Sequence, residues 1–272
     1  MSSRKTSNYL RLWQVLLVCG LFAFWHVATH PTLLPPVYFD NPNKAAFFFG
    51  QPLEVVSRIW TWFSSGSIYE HLWVTLLETV LAFVIGTVSG LAIGLWLALS
   101  PTAAALFDPY IKAINSMPRV ILAPIFGVWF GLGMASKVAL GVTLVFFIVF
   151  FNVYQGVREV SHTVLANARM LGASEGQLLR HVYVPSAMSW VFASLHNSVG
   201  LAFVGAVVGE YLGSSRGVGY LILQAEGTFD INSVFAGILV LTVFALALDG
   251  IVTLAERRLM LWRPRSGETE RI

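Results

Sequence analysis

Three carboxylates in this sequence are placed where they could move protons. Glu78, Glu210 and Asp249 lie in or beside long uncharged stretches. An ionisable side chain is costly inside a membrane, so a carboxylate there could serve a carrier as a proton relay. All three are also near the ends of their stretches or among small residues, where they can reach an interface or pair with a basic group. We favour that structural interpretation.

Other polar residues could contact a substrate. Arg119, between Pro118 and Pro124, could attract an anion at an inner gate or anchor the chain at the cytoplasmic surface, and we slightly favour the anchor. Four polar residues fall in the middle of one uncharged stretch: Ser194, His196, Asn197 and Ser198. They could line a pathway or hydrogen-bond between helices, and the sequence leaves both interpretations open.

Catalytic motifs are weak or missing. Residues 213–217 fit the G-x-S-x-G pattern of a serine nucleophile, but that motif requires a preceding strand and a His–acid pair. A single cysteine and the lack of an H-E-x-x-H motif leave no support for a metal site. None of the four lysines follows a glycine, so there is no phosphate-binding G-x-x-x-x-G-K-[ST] loop. We therefore predict no catalytic residue and no metal site.

The composition indicates a membrane protein. Of 272 residues, 56% are hydrophobic and 11% charged, with a mean hydropathy of +0.72. Soluble domains carry about 25% charged residues, so a soluble domain and a disordered chain are both excluded. The net charge is +3, and the basic residues form no stripe, which argues against nucleic acid as a partner.

Long uncharged stretches predict an all-α polytopic membrane protein with six transmembrane helices. A span needs about 20 apolar residues, because backbone polar groups in lipid must be satisfied within the segment. The predicted spans lie near residues 12–29, 74–99, 107–131, 136–157, 184–210 and 233–255. The third contains Asp108, Lys112, Pro118, Arg119 and Pro124, and it could be broken or re-entrant.

The distribution of basic residues predicts the orientation. With the N-terminus in the cytoplasm, 13 of the 17 lysines and arginines lie on the cytoplasmic side. The four that remain outside are Lys44, Arg58, Lys137 and Arg216. Residues 1–71 then comprise the N-terminal tail, a retained first span and a periplasmic or interfacial segment, and residues 263–272 form a cytoplasmic tail.

Two local patterns predict packing. Leu53, Val56, Trp60 and Phe63 recur at helical spacing, and we favour a helix that packs on the bundle over one that lies in the membrane interface. Glycines recur every fourth residue at Gly86, Gly90 and Gly94 and again at Gly205 and Gly209. Small residues at this spacing let helices approach closely in lipid, so the second and fifth spans should be central.

The segment 158–185, which is predicted to be cytoplasmic, contains several residues that typically start or end helices. Ser161 can cap a helix that runs through Leu171, and Gly172 suits the left-handed residue that ends it. Ser174 and Gln177 can form a capping box that starts a second helix. A connector needs only a few residues, so this helix–Gly–helix segment is expected to contact a partner.

The same segment carries a family resemblance. Ala166-Asn167-Ala168-x3-Gly172-x9-Val182-x-Val184-Pro185 resembles the EAA loop of bacterial ABC-importer permeases, E-A-A-x3-G-x9-I-x-L-P, with Ala166 in place of the first Glu. Stretches 116–137 and 209–222 resemble the subgroup that imports nitrate, taurine and aliphatic sulfonates. The resemblance covers residues 72–262.

The resemblance implies a type I ABC-importer permease fold (MetI-like), with 72–262 as its transmembrane domain and 158–185 as the loop that couples to the ATPases. The coupling residues it implies are Ala166, Asn167, Ala168, Arg169, Leu171, Gly172, Ala173 and Pro185. The pathway candidates it implies are Ser116, Pro118, Arg119, Ser194, His196, Asn197, Ser198 and Glu210.

The implied assembly lies in the bacterial inner membrane. A second permease copy, two cytoplasmic ATPases and an extracytoplasmic binding protein are its implied partners, besides membrane lipid. ATP and Mg would be bound by the ATPases, and this chain would need no cofactor and catalyse nothing. The implied substrate is a small anion. The alternatives are a proton-coupled carrier and, with less support, an intramembrane hydrolase that uses Ser215.

Overall fold

A computed structural model describes residues 2–30 and 43–259, and all regular structure in these ranges is helical. The helices are α1 Ser2–Thr29, α2 Lys44–Phe49, α3 Pro52–Ser65, α4 Ser67–Leu99, α5 Pro101–Ser116, α6 Leu122–Phe130, α7 Met134–Arg158, α8 His162–Met170, α9 Glu175–Leu178, α10 Val184–Leu212, α11 Val218–Gly227 and α12 Ile231–Leu259. A 3₁₀ turn at Arg119–Ile121 precedes α6, and a π-helical turn at Leu179–Tyr183 joins α9 to α10.

Four helices within the described ranges are long and apolar enough to cross a membrane. Their apolar segments are Leu12–Thr29, Ser67–Leu99, Met134–Arg158 and Ile231–Leu254. The first, second, fourth and last predicted spans are therefore confirmed as apolar helices. The second begins before the predicted residue 74, because the helix continues through the polar residues that precede it.

The third and fifth predicted spans do not form single long apolar helices like the other four. The third is a pair of helical pieces, Pro101–Ser116 and Arg119–Phe130, bent by 79°, and it counts as a fifth span only if the pair is taken as one. The break falls at Pro118, which cannot donate a helical hydrogen bond. For the fifth, α10 covers the predicted range, but its apolar segment within the described residues is the shorter Asn197–Leu212, so six spans stay a prediction.

The chain divides into two compact units. Within the described residues, the first unit comprises the part up to 71 together with 221–241, and the second comprises 72–220 together with the part from 242 onwards. Phe235 packs against Trp25 in the first unit, and the Trp25 indole donates a hydrogen bond to the Phe49 carbonyl. Asn232 accepts the backbone N–H of Gln51. Contacts between residues distant in sequence thus hold the first unit together.

The predicted packing face of α3 is wrong. The helix forms as expected, but Leu53, Val56 and Trp60 are exposed, and the buried residues are Pro52 and Val55. An apolar stripe identifies the face that avoids water, and it does not distinguish protein from lipid. The exposed stripe favours the interfacial interpretation.

Glycine contacts hold α4, α7 and α10 together in the second unit. A Cβ on Gly86 would lie 2.7 Å from the Val145 side chain, and one on Gly205 would lie 2.5 Å from Gly141. Such backbone approaches are possible only for residues without a side chain. Both glycine-rich spans therefore pack closely against α7, and α7 is the most buried of the long apolar helices among the described residues.

Candidate functional site

Hydrogen bonds at the end of α8 define the turn of the segment 158–185. Gly172 has a φ of +84°, its N–H donates to Arg169, and the Ala173 N–H donates to Ala168. This is a Schellman ending, in which a left-handed residue lets the chain satisfy the last helical carbonyls. The predicted turn at Gly172 is confirmed, although α8 stops at Met170 and Leu171 is its C-cap.

The next helix begins as predicted. The Ser174 hydroxyl accepts the N–H of Gln177, and the Gln177 side chain accepts the N–H of Ser174, which is a complete capping box. Arg169 and Glu175 add an exposed ion pair of 3.3 Å across the turn. Ser161 occupies the N-cap position of α8, but its side chain makes no capping hydrogen bond, so that detail of the prediction is wrong.

The turn presents apolar side chains to its surroundings. Met170 and Leu171 are 79% and 89% exposed. Adjacent apolar side chains that are this exposed are typical of a surface that binds a partner. Beside them is an open cavity of about 260 Å³, lined by residues that include Ala168, Gly172, Ala173 and Leu178. Ala166, Asn167, Arg169 and Pro185 are also exposed. The loop is thus a preformed surface with an apolar tip.

Arg119 lies at the bend between α5 and α6. Its guanidinium donates to the carbonyl and the side chain of Asn115 and lies over the Phe147 ring, 4.6 Å from the centroid. Its Nε is buried and has no hydrogen-bond partner among the described residues. Ser116 is the last residue of α5, and its hydroxyl donates to the Ala113 carbonyl. Pro118 is the N-cap of the 3₁₀ turn. The bend therefore brings three of the predicted pathway residues together.

Three charged residues meet in the interior of the second unit. Glu78 on α4, Lys137 on α7 and Glu210 on α10 are each at most 1% exposed, and we call them the charged cluster. Thr75 donates its hydroxyl to Glu210 Oε1 at 2.6 Å, and the Gly219 N–H donates to Oε2 at 2.7 Å. Glu78 lies one helical turn after Thr75 on α4, and so on the side of α4 that faces Glu210.

Lys137 connects this cluster to the segment after α10. Its ammonium donates to the carbonyls of Leu132 and Gly213. A Cβ on Gly209 would lie 2.9 Å from the Lys137 side chain, so the stem of the lysine is packed against backbone. Lys137, which the sequence predicts on the outer side of the membrane, is buried in the first turn of α7. The sequence does mark Lys137 as unusual, because it is the one charged residue between two uncharged stretches, 120–136 and 138–157.

The remaining polar candidates are scattered. Asn197 is exposed, and Ser198 is buried with no partner for its hydroxyl among the described residues. The side chains of Ser194 and His196 lie outside the described part. Asp249 lies on an exposed face of α12. Ser215 follows a helix, so the strand that a nucleophile elbow requires is missing and the hydrolase interpretation is wrong in its geometry.

Comparison with known proteins gives one consistent result. The family described as binding-protein-dependent transport system inner membrane component matches residues 90–261. A protein of Bacillus subtilis described as a putative aliphatic sulfonates transport permease, SsuC, is 33% identical over 212 residues, 78% of this chain and 77% of its own length. The taurine transport system permease protein TauC of Escherichia coli is 28% identical over 259 residues, 92% and 90% of the two chains.

A solved structure agrees in fold. An inward-facing structure of the MetNI methionine ABC transporter matches 70% of this chain and 92% of its own with a TM-score of 0.58. At 19% identity, this match supports the fold and nothing further.

Proposed function

Because the chain belongs to the family of binding-protein-dependent transport system inner membrane components, we propose that it pairs with a second copy to form the pathway of an importer for a small sulfonate-type anion. It is a permease subunit of an ABC importer, a family that works with ATPase and binding-protein partners. The sulfonate and taurine permeases among its relatives support the substrate class.

The coupling loop carries the proposal. An ATPase groove would receive the exposed tip at Met170 and Leu171, as a groove receives the apolar face of a helix. The coupling residues are Ala166, Asn167, Ala168, Arg169, Leu171, Gly172, Ala173 and Pro185. Closure of the two ATPases would move the loop as a rigid body and switch the paired permeases between inward-open and outward-open states. Ala166 leaves this contact without the family's acidic group.

The rest of the assembly follows from the same proposal. Both termini lie in the cytoplasm of a bacterial cell, the chain crosses the inner membrane among its lipids, and an extracytoplasmic protein delivers the substrate. ATP and Mg are bound by the ATPases, and this chain performs no catalysis. The pathway is lined by residues from the α5–α6 bend and α10: Ser116, Pro118, Arg119, Ser194, His196, Asn197, Ser198 and Glu210.

Reconstitution tests the proposal. The chain, the ATPase that copurifies with it and its binding protein are placed in liposomes with ATP inside, and uptake of labelled taurine or an alkanesulfonate is measured. We expect uptake that requires ATP and the binding protein. Uptake by the chain alone under an imposed proton gradient would contradict the proposal and support a carrier.

The sequence alone slightly favours an anchor, but the guanidinium of Arg119 lies over the Phe147 ring with its Nε buried, so we expect it to attract the anion instead. Replacing it with Gln removes the positive charge at the bend, and a hydrogen bond to a charged group contributes about 1.5–3 kcal/mol. We expect a rise in the KM for sulfonate uptake of about tenfold or more, with unchanged recovery of the complex. The matched control is Lys112→Gln, because Lys112 already pairs with Asp108 at 2.7 Å on an exposed surface. Equal KM values for both variants would refute the role of Arg119.

A further inference from the structure

Glu210 is a pathway candidate, but the charged cluster has no part in the coupling to the ATPases. We propose that the cluster binds one proton, which Glu78 carries and donates to Glu210. The cluster would then consist of a neutral carboxylic acid, a carboxylate and an ammonium group. This assignment is a proton-binding site between α4 and α10, and it follows from the donors and acceptors that surround each carboxyl group.

Glu210 is the acceptor of the pair. Its Oε1 receives the Thr75 hydroxyl, and its Oε2 receives the Gly219 N–H. Thr75 itself accepts the N–H of Val218 at 3.1 Å, which leaves its own hydrogen to point at Glu210. The N–H groups of Val218 and Gly219 belong to the first turn of α11, where the helix dipole favours a negative charge. Thr75 and Gly219 thus each present a hydrogen to the Glu210 carboxyl group.

Glu78 is the donor by elimination. Its Oε2 is buried without a hydrogen-bond partner in the described part of the chain, and Glu78 lies one helical turn after Thr75, which bonds Glu210. An ionised carboxylate can only accept, so two ionised carboxylates cannot hydrogen-bond to one another. One proton on Glu78 converts the contact into an O–H donor and a carboxylate acceptor. The same proton on Glu210 would compete with the two donors already there.

Charge balance points to the same number of protons. The charged groups that interact within the cluster are Glu78 from α4, Lys137 from α7 and Glu210 from α10. With one proton their charges sum to zero, and without it they sum to −1. Burying an uncompensated charge is strongly unfavourable, and the ammonium group is already shared with two backbone carbonyls.

Infrared spectroscopy of the purified protein in liposomes tests the assignment. We expect a carboxylic acid C=O band, distinct from the carboxylate bands, that shifts in D₂O and is lost in Glu78→Gln. Glu54→Gln is the matched control, because Glu54 is exposed on α3 and should leave the band unchanged. A wild-type protein without the band, or a band that survives Glu78→Gln, would overturn the proposal. If Glu78→Gln cannot be purified, Glu78→Asp retains an acid and should shift the band.

Assembly gives a second, independent comparison. The side-chain amide introduced by Glu78→Gln stays neutral and can still donate to Glu210, so the variant should be recovered with its partners in wild-type yield. Glu210→Gln offers one acceptor oxygen where two are used, and it leaves Lys137 without a countercharge, so its yield should fall severalfold. The reverse order would place the proton on Glu210 and refute the assignment. Neither measurement requires transport, so failure here is separate from failure of the proposed function.

Discussion

Replacing Gly172 with Val is expected to abolish ATP-driven uptake and leave the chain in the membrane. Gly172 has a φ of +84°, a conformation that a β-branched residue strongly disfavours. A Cβ there would meet no atom within 4 Å, so any effect must come from the backbone and not from a clash. The turn would lose its two closing hydrogen bonds, and the apolar tip would point elsewhere. Uptake is measured in the reconstituted complex.

The matched controls separate backbone conformation from side-chain size. Asn tolerates the left-handed region, so Gly172→Asn should keep at least half of the uptake. Gly176 also has open space around its Cβ position but lacks a positive φ, and Gly176→Ala should behave like the wild-type chain. Wild-type uptake by Gly172→Val would show that the turn is not needed for coupling. Loss of the chain from the membrane would show that the turn is needed for folding.

Replacing Gly217 with Ala is expected to destabilise the second unit strongly, although it adds only one methyl group. Gly217 has a φ of +102°, and its Cβ would overlap the carboxyl group of Glu210. Glu210 would have to move and give up its hydrogen bonds to Thr75 and Gly219. Backbone strain and overpacking each cost about 1–3 kcal/mol, so we expect a loss of roughly 3 kcal/mol or more. The melting temperature in detergent should fall by roughly 5–10 °C.

Two further variants identify the cause. Gly200→Ala adds a methyl group on α10 where a Cβ meets no atom within 4 Å, and it should change the melting temperature little or raise it slightly. In a Glu210→Ala background the overlap is gone, so Gly217→Ala should cost only the backbone strain. Coupled residues give such non-additive effects. Full additivity would contradict the contact between Gly217 and Glu210.

Local features of this protein could be predicted from its sequence. A stretch without charges has to be helical in lipid, and for that reason the spans in α1, α4, α7 and α12 were identified from distances between charged residues. The turn at Gly172 and the capping box at Ser174 depend on backbone bonds between near neighbours, and residue types determine these. The resemblance to the EAA loop rests on the same short-range spacing.

Features that depend on which surfaces meet were decided by the tertiary structure. The stripe on α3 was assigned to the wrong surroundings, because an apolar pattern looks the same against lipid and against protein. The sequence predicts Glu78 and Glu210 near the outer interface and Lys137 on the outer side of the membrane, but it does not predict that the three side chains meet. Their burial together depends on the packing of α4, α7 and α10 through glycines distant in sequence. The charges neutralise one another only in the folded protein, so no local pattern of residues could predict the cluster.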